Sequence, residues 1–196
     1  QPNEANLLTQ SDPERLQQIR HSCAHILAMA VQNLFPETKV SIGPCTETGF
    51  YYDFDRADAF TPADLKKIEK KMRKIIGSNL PIVREEVERA DIEAEINELG
   101  EPYKLEILAG IPSGETITRY YIGSPEAGLT NPSDAKESAQ PNSRPSKAKK
   151  SWWDLCAGPH VQATGEVHPK AFTLESVAGA YWRGDESNAQ LQRIYG

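Results

Sequence analysis

The stretch that decides the fold is DPERLQQIRHSCAHILAMAVQNLFP, residues 12–36. Asp12 followed by Pro13 is a helix start: a side-chain acceptor for the first free amides, then a ring that presets φ at the first helical position. Leu16, Ile19, Cys23, Leu27, Ala30 and Leu34 recur three or four residues apart, and Pro36 ends the run. At 100° per residue the other five fall within roughly 60° of Leu16, which predicts a helix with one apolar stripe. His21 and His25 fall on the far side, at about 140° and 180° from Leu16, one above the other. Gln18 and Gln32 share that side, and alone they would describe a wet face. Ala28 and Met29, beside the histidines, point instead to a covered pocket.

A covered pocket needs a partner, and CAGPH at 156–160 offers one. Cys156 and His160 are again four residues apart, with Gly158-Pro159 forcing a turn between them. The two pairs together supply three nitrogens and one sulfur, a donor set that suits tetrahedral Zn²⁺. Residue 22 is Ser, so the glutamate base of an HExxH metalloprotease is missing. A Cys156–His160 nucleophilic dyad is a lesser alternative, because nothing around it resembles a papain-like signature. Spacing marks a chemical site made by tertiary folding and leaves its chemistry open.

Outward from the first helix, KVSIG and GFYYDF read as two short strands. Thr61-Pro62 opens a second helix, with Asp64 as its third-position carboxylate and Leu65, Ile68, Met72 and Ile75 turned inward, closed at Gly77. PIVREEVE reads as a strand, and a short helix over Asp91–Leu99 ends at Gly100. YKLEIL (103–108) and TITRYYI (116–122) alternate like strands, as do AFTLESV and GAYWRG further on. The expectation is an α+β fold without internal repeats.

Two segments differ in kind. Residues 1–10 read as a flexible lead-in. Residues 124–150, rich in Pro, Ser, Ala and Lys with a single Leu, carry too little apolar surface to offset their ordering entropy and read as a disordered insertion. The 196-residue chain has 38% hydrophobic residues and no apolar run of membrane-spanning length, which describes a soluble protein. It begins with Gln, as an excised part of something longer would. Three widely spaced cysteines, Cys23, Cys45 and Cys156, argue for a reducing compartment. Net charge is −6, against a broad nucleic-acid footprint, yet lysines cluster at 66–74 and 147–150.

The motifs RHSCAHILA, IGPCTETGFYYDF, YKLEIL, WWDLCAGPHV and AGAYWRGDESNAQLQRIYG together resemble the editing region of bacterial-type threonyl-tRNA synthetases, the domain type shared with alanyl synthetases. The resemblance runs from about Ile19 to Gly196, interrupted by the 124–150 insertion. It implies an antiparallel sheet wrapped around the HxxxH helix, with a smaller α/β subdomain. It also implies an editing domain over 11–184, with 185–196 starting a linker to an ATP-dependent aminoacylation domain. The implied activity is hydrolysis of serine wrongly esterified to threonine-specific tRNA. Threonine exceeds serine by one methyl group, and a synthetic site cannot reject the smaller substrate by much more than ~1–3 kcal/mol.

Carried onto this sequence, the resemblance implies His21 and Lys104 as catalytic, activating the water and stabilising charge on the ester carbonyl. Tyr52, His25, Asp154, Cys156 and His160 would bind and shape the substrate. No cofactor is implied for editing; zinc on His21, His25, Cys156 and His160 is the alternative, as is a non-catalytic tRNA-binding module. Implied partners are the acceptor end of threonine tRNA, the rest of the synthetase chain and, for the parent enzyme, a second copy; no membrane is involved. The implied location is the cytoplasm, or an organelle stroma or matrix. Trp152, Trp153 and Trp182 are expected to pack, His168 to lie on the surface, and Cys23 and Cys45 to be structural.

Overall fold

The structure, a computed structural model, describes residues 12–123 and 151–196. The lead-in at 1–10 and the insertion at 124–150 therefore lie outside the described residues. Helix α1 (Pro13–Leu34) starts as its sequence dictates: Asp12 accepts from the amides of Glu14 and Arg15, and Pro13 takes the first turn. Every residue from Ser22 to Val31 is buried, so the far side of the wheel is covered as fully as the apolar stripe. Leu34 departs from the stripe: the last turn runs past the core and leaves it 37% exposed.

Two antiparallel sheets are present. The first joins β1 (Lys39–Val40), β2 (Tyr51–Asp55), β6 (Ser176–Tyr181) and β7 (Gln190–Tyr195) in the order β1-β2-β7-β6. The second joins β3 (Ile82–Val87), β4 (Ile117–Ile122) and β5 (Trp152–Leu155) in sequence order. Helix α2 (Pro62–Gly77) opens on the Thr61/Asp64 capping box, and its Ile68, Met72, Ile75 and Ile76 enter the core around α1. Helix α3 (Arg89–Leu99) closes on Gly100 at φ +64, the left-handed turn that glycine adopts without strain.

Strand alternation divides the interior. Trp152 joins Tyr52, Phe54, Ile122 and Ile194 around α1, whereas Trp153 and Leu155 join Ile92, Ile96, Leu108 and Tyr121 in a smaller core under α3. The smaller unit is thus the β3-β4-β5 sheet with α3 and α4 (Pro102–Gly110), and the whole is α+β.

Three expectations are corrected. YKLEIL is helical, as part of α4, with Pro102 in its first turn. Six residues cannot separate a period of 2 from one of 3.6, and the buried residues Lys104 and Leu108 are one helical turn apart. AFTLESV buries Phe172 and Leu174 in irregular backbone before the strand starts at Ser176. Residues 185–196, expected to begin a linker, contain β7, which pairs with both β2 and β6 and buries Leu191 and Ile194.

Candidate active site

Each of the seven candidate residues arrives by a local rule. His21 and His25 project from the same side of α1. Tyr52 faces α1 from β2, where Gly43 leaves room for its ring: a Cβ there would lie 2.0 Å from Tyr52 Cδ2. Lys104 sits in the first turns of α4. Asp154, two residues on from Trp152 in β5, points to the α1 side by alternation. The chain then leaves the strand into Cys156–His160. Gly158 sits at φ +80, and a Cβ on it would lie 2.2 Å from Tyr120 Oη.

Asp154 is the hub of a buried charged group. Lys104 Nζ donates to its Oδ1, and Tyr52 Oη donates to its Oδ2 at 2.5 Å. Lys104 and Asp154 are 2% and 4% exposed. Burial, and then the Asp154 charge, push the Tyr52 phenol well above its ordinary value, so it remains a donor. Lys104 Nζ also lies 5.6 Å from the Trp152 and Trp153 ring centroids. Glu101 stands nearby: its carboxylate accepts from Gln32 Nε2 at 2.7 Å and the Val40 amide at 3.2 Å. Burial raises the Glu101 carboxyl, and the Lys104 charge opposes that rise. The other end of Gln32 accepts from the Trp152 indole at 2.7 Å, closing a polar brace beneath the site.

The three imidazoles and the thiol form a second cluster. His21 Nδ1 lies 3.2 Å from the Pro159 carbonyl, which can only accept, so that nitrogen carries the hydrogen. Its Nε2 is then a free acceptor, 3.4 Å from Cys156 Sγ. Cys156 Sγ also lies 3.3 Å from His160 Nε2 and receives the Gly158 amide at 3.2 Å. The His160 ring stacks 4.1 Å from His21, with His25 at 4.2 Å and Tyr120 at 4.5 Å. His25 Nε2 is 3.8 Å from Asp154 Oδ2, and its Nδ1 has no hydrogen-bond partner among the described residues.

Burial dominates the electrostatics. It lowers His25 well below the ordinary imidazole value, and the neighbouring His21 and Lys104 charges add to this. Burial followed by its two imidazole neighbours lowers His160, and burial pushes the Cys156 thiol up to about 12. His21 is lowered as well, but the Pro159 carbonyl and Asp154 act in the other direction. All three rings are therefore neutral at pH 7, and the 3.8 Å contact between His25 and Asp154 is not an ion pair.

The arrangement offers one half-exposed neutral acceptor, His21 Nε2, beside a buried ammonium and an acidic anchor. It also fits a metal. Ligand atoms of His21, His25, Cys156 and His160 all lie within 4.8 Å of one another, a cluster whose longest separations would have to shorten by about 1 Å to reach the ~3.3–3.7 Å edges of a tetrahedral zinc site. His25, one of the four, has its buried Nδ1 without a hydrogen-bond partner among the described residues.

All seven expected residues thus join one contiguous network. Lys104 reaches it from a helix instead of the expected strand. Trp152, Trp153 and Trp182 are buried, and His168 lies exposed on the surface. The sequence reading missed Ser22, Gln32, Glu101 and Tyr120 as part of this assembly. The helix wheel places Gln32 on the histidine side without a role, and Tyr120 stands opposite Asp154 in the β4–β5 register. Among the described residues no helix is long and apolar enough to cross a membrane.

Comparison with known proteins bears on the family. Residues 146–195 match the family described as "Threonyl and Alanyl tRNA synthetase second additional domain". A threonine–tRNA ligase of Gloeobacter violaceus is 55% identical over 193 residues, 98% of this chain and 26% of that protein. One from Synechococcus elongatus is 55% identical over 186 residues, 95% of this chain and 26% of that protein. A third, from Synechocystis, is 50% identical over 195 residues, 100% of this chain and 28% of that protein. The chain spans about a quarter of the length of these curated relatives. Almost its whole length is thus similar to about a quarter of threonine–tRNA ligases, and its residues 146–195 belong to the threonyl and alanyl tRNA synthetase second additional domain family.

Proposed function

We propose that this chain hydrolyses the ester of serine wrongly attached to threonine tRNA, as the editing part of a threonine–tRNA ligase. The observation that carries the reading is the coupling of two groups: a neutral, half-exposed His21 acceptor nitrogen and a buried Lys104–Asp154–Tyr52 group, bridged by the His25–Cys156–His160 cluster. Ester hydrolysis needs a base for water and positive potential for the oxygen that gains charge.

In this reading water gives a proton to His21 Nε2 as its oxygen attacks the ester carbonyl carbon. Lys104 supplies the fixed positive charge for the developing oxyanion. Collapse breaks the bond to the ribose oxygen, which takes a proton from the His21 imidazolium, releasing serine and the free tRNA end. Asp154 holds Lys104 and offers an anionic partner for the substrate ammonium, while Tyr52, His25, Cys156 and His160 are the side chains that would have to admit a hydroxymethyl and reject a further methyl. The RNA partner is the tRNA acceptor end, and the remainder of the ligase delivers it.

The test is deacylation of seryl-tRNA by the chain, beside His21→Ala and Lys104→Ala. Each variant is expected to lose on the order of 10²-fold or more. Wild-type rates no faster than spontaneous hydrolysis would sink the proposal. The compact four-donor set supports one other reading, a zinc hydrolase held by the His21, His25, Cys156 and His160 side chains. Zinc there would supply a Lewis acid. Stoichiometric zinc together with turnover abolished by a chelator would favour it over the metal-free scheme.

A further inference from the structure

We infer that Ser22 is a positioning residue that selects the Nε2–H tautomer of His160, leaving His21 as the imidazole that accepts a proton. The inference rests on the hydrolytic reading above for its consequence, but not for its geometry.

Ser22 lies inside the HSCAH motif, fully buried, and its hydroxyl has two contacts, both across the fold. The Val161 amide, which can only donate, points at Oγ from 3.1 Å. Oγ itself lies 3.0 Å from His160 Nδ1. With one lone pair taken by the amide, the hydroxyl hydrogen has Nδ1 as its acceptor, so Nδ1 is bare. A neutral His160 then carries its hydrogen on Nε2, 3.3 Å from Cys156 Sγ. The sulfur now receives two donors, His160 Nε2–H and the Gly158 amide. The thiol hydrogen is left for His21 Nε2 at 3.4 Å, and His21 Nδ1–H ends the chain on the Pro159 carbonyl.

The direction of this relay is fixed at both ends by backbone groups that cannot change role, the Val161 N–H and the Pro159 C=O. A thiol is a weak donor, so the contact it makes to His21 Nε2 is one that water replaces easily. The opposite tautomer would leave the Ser22 hydroxyl hydrogen without either contact to receive it. It would also turn His160 Nε2 into a competing acceptor for the thiol. Ser22 therefore decides which of the stacked rings faces the water with a lone pair.

The test is long-range ¹H–¹⁵N correlation at pH 7.5 on the chelator-treated, ¹⁵N-histidine-labelled chain, with His160 assigned from a His160→Asn spectrum. The expected result is a pyrrole-type Nε2 and a pyridine-type Nδ1 on His160; a protonated Nδ1 overturns the inference. In Ser22→Ala the tautomer should shift toward Nδ1–H, and kcat for the seryl ester should fall about tenfold or more with KM little changed. Ser22→Thr, which keeps the hydroxyl, should retain the wild-type tautomer. A folded Ser22→Ala chain that keeps Nε2–H overturns the inference too. If Ser22→Ala does not fold, the wild-type spectrum alone decides. The spectrum needs no turnover, so failure of the hydrolytic reading would leave the tautomer result standing.

Discussion

Asp154→Asn is the change that probes the buried charges most directly. The amide keeps the volume and can still accept from Tyr52, but it leaves Lys104, 2% exposed, without its counter-charge. Breaking one side of a buried pair typically costs about 3–5 kcal/mol. Glu101, close enough to act on Lys104, tempers the loss, although its oxygens are engaged by Gln32 and Val40. We expect about 3 kcal/mol, a large share of the ~5–15 kcal/mol that holds a typical domain. Lys104→Met should cost a similar amount, because it strands the 4%-exposed carboxylate. The double variant removes both charges and should lie nearer wild type than either single variant, giving a coupling larger than about 3 kcal/mol. Urea unfolding, read at constant slope, measures all three. Singles that cost under about 1 kcal/mol, or a double variant equal to their sum within about 0.5 kcal/mol, would refute the reasoning.

Stability should fall in mild acid. His25 and His160 are held neutral chiefly by burial, below the unfolded value of about 6.5. Below that pH the unfolded chain binds more protons than the native one, so stability is present above about 6.5 and is lost as pH drops. At pH 5.5 the loss is about 1.4 kcal/mol for each ring that stays neutral, or about 3 kcal/mol for the pair. Denaturant midpoints at pH 7.5 and 5.5 measure it, and equal midpoints would contradict it. Gly158→Ala should cost about 1–3 kcal/mol and weaken deacylation together, since φ is +80 and the new Cβ meets Tyr120 Oη. Thermal melts beside turnover test this, and an unchanged variant would mean the loop tolerates the methyl. Gly43→Ala, whose Cβ would overlap the Tyr52 ring, should likewise displace Tyr52 from Asp154. Loss of tyrosine-to-carboxylate hydrogen bonding in ultraviolet difference spectra reads that displacement.

Much of the fold was legible because its governing signals are local. The N-cap, the proline stops and the 3.6-residue stripe of α1 lie within one window of 25 residues. The same wheel placed both histidines on one side. What it could not show is that the far side is buried as deeply as the stripe, since cover comes from strands 20 to 170 residues away. Asp154 came from resemblance alone, and alternation in β5, a strand the sequence reading did not draw, sets the side it faces. Lys104 was a harder case: six residues carry both periods, and Pro102 decided between them. Glu101 and Ser22 left no pattern, and the wheel gave Gln32 a side but no role, because each acts through a few tertiary hydrogen bonds that any polar surface residue could equally lack. The strand β7 was hidden by a boundary drawn from resemblance alone. Its buried Leu191 and Ile194 point to opposite faces of the first sheet, Ile194 into the core around α1 and Leu191 against Tyr103 and Trp182.

The central claim is that this site hydrolyses the seryl ester and spares the threonyl one. The most direct measurement is single-turnover deacylation of seryl- and threonyl-tRNA at chain concentrations high enough to saturate the rate. Our account predicts rapid release of serine, with threonine released at least about tenfold more slowly, the discrimination available to one methyl group in a close-fitting site. Equal rates for the two esters, or no acceleration of either, would contradict it.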